Sequence, residues 1–73
     1  MTKKELFNLM TTYNSRSASL KFYDMADRYI LTIGDHHFDL NDHTAENLIV
    51  DLKDNTFATI TDHNGHKSAK ITK

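Results

Sequence analysis

Apolar and polar side chains alternate from Ser17 to Leu40, and this period of two predicts β-strands. Two turns divide the stretch into three antiparallel strands: a four-residue tip at 24–27 and a two-residue hairpin at Gly34-Asp35, where glycine suits the positive φ of the first turn position. Both turns place the same side chains on one face. That apolar face comprises Ala18, Leu20, Phe22, Tyr29, Leu31, Ile33, Phe38 and Leu40.

A first helix is predicted before the strands, from Met1 to Tyr13, because its apolar residues recur at helical spacing. Thr2 and Glu5 stand at the spacing of a capping box, in which each side chain satisfies the backbone of the other. Asn14 suits the left-handed conformation that ends many helices. The apolar stripe of this helix is Leu6, Leu9, Met10 and Tyr13.

A second helix and a second hairpin are predicted after the strands. The helix is expected to begin at Asn41 or Asp42, whose side chains can cap it, and to run to about Lys53. Asn64-Gly65 then predicts a hairpin within 56–73, because both residues readily adopt positive φ. The apolar stripe of the second helix is Ala45, Leu48, Ile49 and Leu52.

The resulting order, α-β-β-β-α-β-β, predicts an α+β fold in a single domain over residues 1–73. We expect one antiparallel sheet with both helices packed on its apolar face. A chain of this length is expected to retain only about 3–5 kcal/mol of stability. A homodimer through sheet edges, or through Ile30, Phe57 and Tyr23, would add to it. There is no cysteine and hence no disulfide framework.

Charge is distributed unevenly along the chain, although the formal net charge is only −1. Residues 1–22 carry four cations against one carboxylate, and residues 63–73 carry three cations and no carboxylate. Residues 23–62 carry nine carboxylates against two cations, a net charge of −7. Two interpretations remain open: the basic ends pair with the acidic middle, or the acidic middle forms a patch that meets a basic partner surface.

Candidate catalytic and metal-binding residues are few. His36 and His37 are adjacent in a strand and are expected to point to opposite faces. His63 and His66 face each other across the second hairpin and, with Asp62, offer half of a metal site, whereas zinc needs three or four converging ligands. The chain has no phosphate-binding loop and no nucleophile elbow. We therefore expect no metal, no cofactor and no enzymatic activity.

Two short segments resemble proteins that act on DNA enzymes. The hairpin at 60–65, followed by Lys67 and Lys70, resembles the closing hairpin of phage uracil-DNA glycosylase inhibitors, a family of small acidic α+β proteins that imitate DNA. Glu5-Leu6-Phe7 is similar to the end of bacterial sliding-clamp-binding peptides, although Lys3 stands where such peptides have glutamine. These resemblances imply a phage-encoded inhibitor of a host DNA replication or repair protein, such as the sliding clamp.

The expected mechanism is mimicry of DNA by an acidic surface. Proteins that hold DNA direct lysine and arginine side chains at phosphates, and carboxylates on a rigid scaffold can occupy the same positions. Such a protein would act without catalysis in the cytoplasm of the host cell. The residues expected to contact the partner are Asp24, Asp27, Asp35, Asp39, Asp42, Glu46, Asp51 and Asp54.

A small nucleic-acid-binding module is the alternative. The basic terminal segments would form its binding surface, with Tyr13, Tyr23 or Phe57 available for stacking on bases. A helix followed by three strands and a helix also resembles the order of double-stranded-RNA-binding domains. That family has a basic motif at the start of its last helix, where this chain has the acidic segment 42–46.

Overall fold

The computed structural model describes residues 1–73 and confirms the predicted α+β order. The elements are α1 (Lys3–Thr12), β1 (Ser17–Tyr23), β2 (Arg28–Ile33), β3 (His36–Leu40), α2 (Asp42–Leu52), β4 (Ala58–His63) and β5 (His66–Thr72).

The five strands form one antiparallel sheet in the order β3-β2-β1-β5-β4. The closing hairpin docks through β5 on the free edge of β1, with Ser17 opposite Thr72 and Leu20 opposite Ala69. The first strand therefore lies at the centre of the sheet. The strands β3 and β4 form its two edges.

The predicted hairpins are confirmed, and their turns set the strand registers. Leu31 lies opposite both Leu20 and Phe38, and Ile60 lies opposite Ala69. The turns have the expected backbone: φ is 59° at Gly34, and it is positive at both residues of the Asn64-Gly65 turn. One face of the sheet is consequently apolar and the other is polar.

Both helices pack on the apolar face, as predicted, and leave the polar face open to solvent. The core is a single cluster of thirteen buried side chains that the two helices and three of the five strands, β1, β2 and β5, contribute. The edge strands β3 and β4 add only half-buried side chains to it. The buried residues are Leu6, Met10, Ala18, Leu20, Tyr29, Leu31, Ile33, Ala45, Leu48, Ile49, Leu52, Ala69 and Ile71.

The elements end slightly inside their predicted limits, for local reasons. Thr2 lies outside α1 as its N-cap, and the capping box with Glu5 is present. Asn41 caps α2, its side chain accepting a hydrogen bond from the Thr44 amide at 2.8 Å. The strand β4 begins only at Ala58, because the preceding residues form a turn that the Asn55 side chain closes.

Replacing Thr2 with alanine should cost about 1 kcal/mol of unfolding free energy, because it removes an N-cap hydroxyl. That hydroxyl accepts a hydrogen bond from the Glu5 amide at 3.2 Å. Urea denaturation checks this against Thr12→Ala, which removes an exposed hydroxyl bonded to the Asn8 carbonyl inside the same helix. Equal losses of unfolding free energy in the two variants would show that the N-cap hydroxyl stabilises the helix no more than a hydroxyl inside it.

Candidate protein-interaction surface: the acidic end

The topology gathers carboxylates at the end of the sheet that carries the β1–β2 tip. Leu40 lies opposite Tyr29, so β3 delivers the chain to this end and α2 starts there. The closing hairpin turns at the same end, since the His66 ring stacks on the Phe22 ring with centroids 3.7 Å apart. We call this surface the acidic end, and it consists of Asp24, Asp27, Asp39, Asp42, Glu46 and Asp62.

Arg28 stands among the carboxylates of the acidic end. Its Nη1 donates a hydrogen bond to Asp39 Oδ2 at 2.8 Å, in an ion pair whose side chains are both more than half exposed. A shallow depression of about 570 Å³ surrounds this pair, and Asp27 and Asp42 also line it. Because one guanidinium neutralises only one carboxylate, Asp27 and Asp42 remain available to an external cation.

The side chain of Tyr29 lies in the negative potential of the acidic end. The residue is 3% exposed, and burial raises the pKa of its phenol, with further increases from the charges of Glu46, Asp42 and Asp62. Three carboxylates from two separate elements thus act on one buried group. Asp62 was absent from the predicted contact set, because the alternation of β4 gives no indication that β5 docks on β1.

Ionisation of Tyr29 should destabilise the fold at high pH. Its folded-state pKa lies above the unfolded value of 10.0, so the unfolded chain loses this proton first and stability falls as pH rises through 10. Tyr29→Phe should therefore lose less unfolding free energy between pH 8 and pH 10.5 than the wild type does. The control Tyr23→Phe, with its exposed ring, should retain the wild-type dependence; an unchanged dependence in Tyr29→Phe would contradict the assignment.

Three of the eight predicted contact residues lie away from the acidic end. Asp35 lies in the β2–β3 turn at the opposite end of the sheet, and Asp54 follows the C-terminus of α2. Asp51 accepts a hydrogen bond from the Lys3 backbone amide at 2.7 Å. A carboxylate near the C-terminus of α2 opposes the dipole of that helix, but here it favours the N-terminus of α1. Asp51 thus has a structural role.

Apart from Lys67, the basic terminal segments meet each other rather than the acidic end. The Lys73 amide donates to the Arg16 carbonyl at 2.8 Å, and Lys73 Nζ lies 5.3 Å from the centroid of the Phe7 ring. A single ion pair joins a terminal lysine to a carboxylate, between Lys67 Nζ and Asp62 Oδ2 at 3.7 Å. The acidic end therefore carries six carboxylates against Arg28 and Lys67, a net charge of −4.

The three histidines on β3 and β5 make local contacts. His36 packs on Tyr13 with ring centroids 4.1 Å apart, and His37 Nδ1 lies 3.1 Å from Thr32 Oγ1 on the other face, as the strand alternation predicts. The His66 ring stacks on the Phe22 ring. No three histidine or carboxylate side chains are placed to share one metal ion.

Comparison with known proteins gives no relative of this chain: no family model, curated protein or solved structure matches it. Neither of its helices has the length and apolar character needed to cross a bilayer.

Proposed function

We propose that this protein is a non-enzymatic, phage-encoded inhibitor that binds the DNA-binding surface of a host replication or repair protein in the host cytoplasm. The observation that carries the proposal is the acidic end. Two hairpins and the start of α2 bring six carboxylates together there, and only Asp39 and Asp62 have a cationic partner within the chain. The other four are exposed and positioned to meet lysine or arginine side chains.

A rigid support is what makes these carboxylates suitable substitutes for phosphates. Asp39 lies on a strand and Asp42 in the first turn of α2, so their backbones are fixed by the sheet and the core. Asp24 and Asp27 lie at a tip that two backbone hydrogen bonds of 3.2 Å hold closed. Charges fixed in this way lose little conformational entropy on binding, and preorganisation of this kind favours affinity.

The sliding clamp remains within this class of partner, but the acidic end is the contact surface that we propose. Leu6, the central residue of the clamp-peptide-like segment, has no exposed surface. The side chain of Glu5 accepts a hydrogen bond from the Thr2 amide at 3.1 Å, in the capping box. Presenting this segment as an extended peptide would require α1 to unfold.

Affinity capture from a bacterial lysate, followed by mass spectrometry, tests the proposal. Immobilised wild-type protein should retain a DNA-binding host protein and release it as the salt concentration rises, because exposed charge pairs are screened. Asp27→Asn/Asp42→Asn should retain much less of it. Capture of no DNA-binding protein, or equal capture by the double variant, would overturn the proposal.

The open face of the sheet supports nucleic-acid binding as a second candidate function. A shallow groove of about 540 Å³ on this face is lined by Lys21 and Lys70, with hydroxyl side chains from three strands and no carboxylate. Lys70 lies opposite Ser19, so Lys21 is its diagonal neighbour on the same face, with Cα atoms about 7–8 Å apart. Two unpaired lysines this close together favour an anion between them.

A gel shift at low salt separates the two candidates. Under the favoured proposal, labelled single- and double-stranded oligonucleotides should run unshifted with purified protein. A shift that Lys21→Gln/Lys70→Gln abolishes, and that Asp27→Asn/Asp42→Asn leaves intact, would support the second candidate in its place.

A further inference from the structure

An apolar groove runs between α2 and the closing hairpin, on the side of the sheet that the helices cover. It consists of two adjoining shallow cavities of about 310 and 340 Å³, which share Ile49, Val50 and Lys67 as lining residues. Val50 is 71% exposed, although it is flanked by buried Ile49 and faces half-buried Ile60. This is the most exposed aliphatic side chain on either helix, and the fold itself provides no cover for it.

Opposite charges mark the two ends of this groove. Glu46 lines one cavity and Lys53 lines the other, and neither forms an ion pair within the chain. Lys53 is the C-cap of α2 and follows Glu46 by seven residues, about 10 Å at 1.5 Å per residue. Their midpoint falls between Ile49 and Val50. A half-turn about that midpoint exchanges the positions of Glu46 and Lys53, so the surface is complementary to a second copy of itself.

We propose that this groove is the interface of a symmetric homodimer in which α2 packs antiparallel to α2 of a second copy. Val50 of each copy lies over the apolar groove of the other, and each Glu46 faces the Lys53 of the other copy. A two-fold axis repeats every contact, which gives two ion pairs and a closed assembly. Glu46 also belongs to the acidic end, so this dimer uses one carboxylate of that surface. It differs from a dimer formed through the sheet edges.

The expected dimer is a weak one. The helix α2 has 11 residues and is therefore about 16 Å long. The broadest face of the molecule measures 30 by 25 Å, so a contact centred on one helix covers only part of it. Such an interface falls at the small end of specific protein contacts, with dissociation expected in the micromolar range.

Charge reversal tests the antiparallel arrangement directly. Sedimentation velocity on purified protein, from about 1 μM to about 1 mM, should show a monomer–dimer equilibrium for the wild type. Glu46→Lys and Lys53→Glu should each weaken dimerisation at least tenfold, because each change makes both symmetry-related pairs repulsive. The double variant Glu46→Lys/Lys53→Glu should restore the wild-type dissociation constant to within about threefold, since it only exchanges the partners of each pair.

Two further variants complete the test. Val50→Glu should abolish the dimer, while circular dichroism should show an intact fold because this position is exposed. Lys70→Glu, the same charge change as Lys53→Glu but on the open face, should leave the dimer unaffected. A monomer at every concentration would overturn the proposal, as would a dimer indifferent to the Glu46 and Lys53 changes, or a double variant that fails to recover.

Discussion

Leu31→Ala should remove most of the protein's folding stability at 25 °C. Leu31 has no exposed surface and lies on β2 between Leu20 and Phe38 of the neighbouring strands. Truncating a buried leucine costs about 2–5 kcal/mol, because the lost transfer free energy and the remaining cavity act together. A domain of this size is expected to have only about 3–5 kcal/mol in total. Urea titration followed by circular dichroism should show a transition shifted close to zero denaturant.

The adjacent residue supplies the matched control. Ile30 lies on the same strand but on the open face, where it is half-buried and outside the core. Ile30→Ala should cost less than about 1 kcal/mol and retain a cooperative transition. Similar losses for Leu31→Ala and Ile30→Ala would show that the two faces of the sheet differ less than the burial indicates.

Neutralising two carboxylates of the acidic end should weaken binding to the captured host protein about tenfold. Exposed ion pairs contribute up to about 1 kcal/mol each, and two contacts of about 0.7 kcal/mol correspond to a factor of ten in the dissociation constant. Asp27→Asn/Asp42→Asn makes this change with little alteration of side-chain shape. Surface plasmon resonance or calorimetry at low and high salt should show the difference shrinking as salt increases.

Asp35→Asn/Asp54→Asn is the control that separates the position of the carboxylates from the total charge of the protein. It removes the same two charges from carboxylates away from the acidic end. Asparagine also tolerates the left-handed backbone at Asp54, where φ is 71°. Binding should change less than twofold. Equal losses in the two double variants would mean that net charge, and not the acidic end, determines affinity.

Local signals in the sequence predicted each element and each hairpin register. The alternation from Ala18 to Leu40 and the turn at Gly34 determined the three-stranded meander, and Asn64-Gly65 determined the second hairpin. Such patterns depend on contacts between residues close in the chain, so sequence periodicity carries them well.

The order of strands in the sheet was beyond local signals, because the closing hairpin had two free edges on which to dock, at β1 and at β3. It joined β1, which placed β4 four strand spacings, or about 19 Å, from β3. The roughly 16 Å length of α2 and residues 53–57 together span that distance. That choice added Asp62 to the acidic end. Asp35, by contrast, lies away from it because consecutive turns of a meander are at opposite ends of the sheet, and Asp51 and Asp54 because they lie at the C-terminal end of α2. The charge pattern of the sequence identified the acidic residues, but it did not show which of them lie together on one surface.

Competition with DNA tests the central claim most directly. The host protein captured by the wild-type chain is bound to a labelled duplex of about 20 base pairs, and the chain is titrated in while fluorescence anisotropy reports bound DNA. The account predicts that the chain releases the DNA completely, and that Asp27→Asn/Asp42→Asn needs about tenfold more protein to do so. A ternary complex, in which the chain binds while the DNA stays bound, would contradict the account.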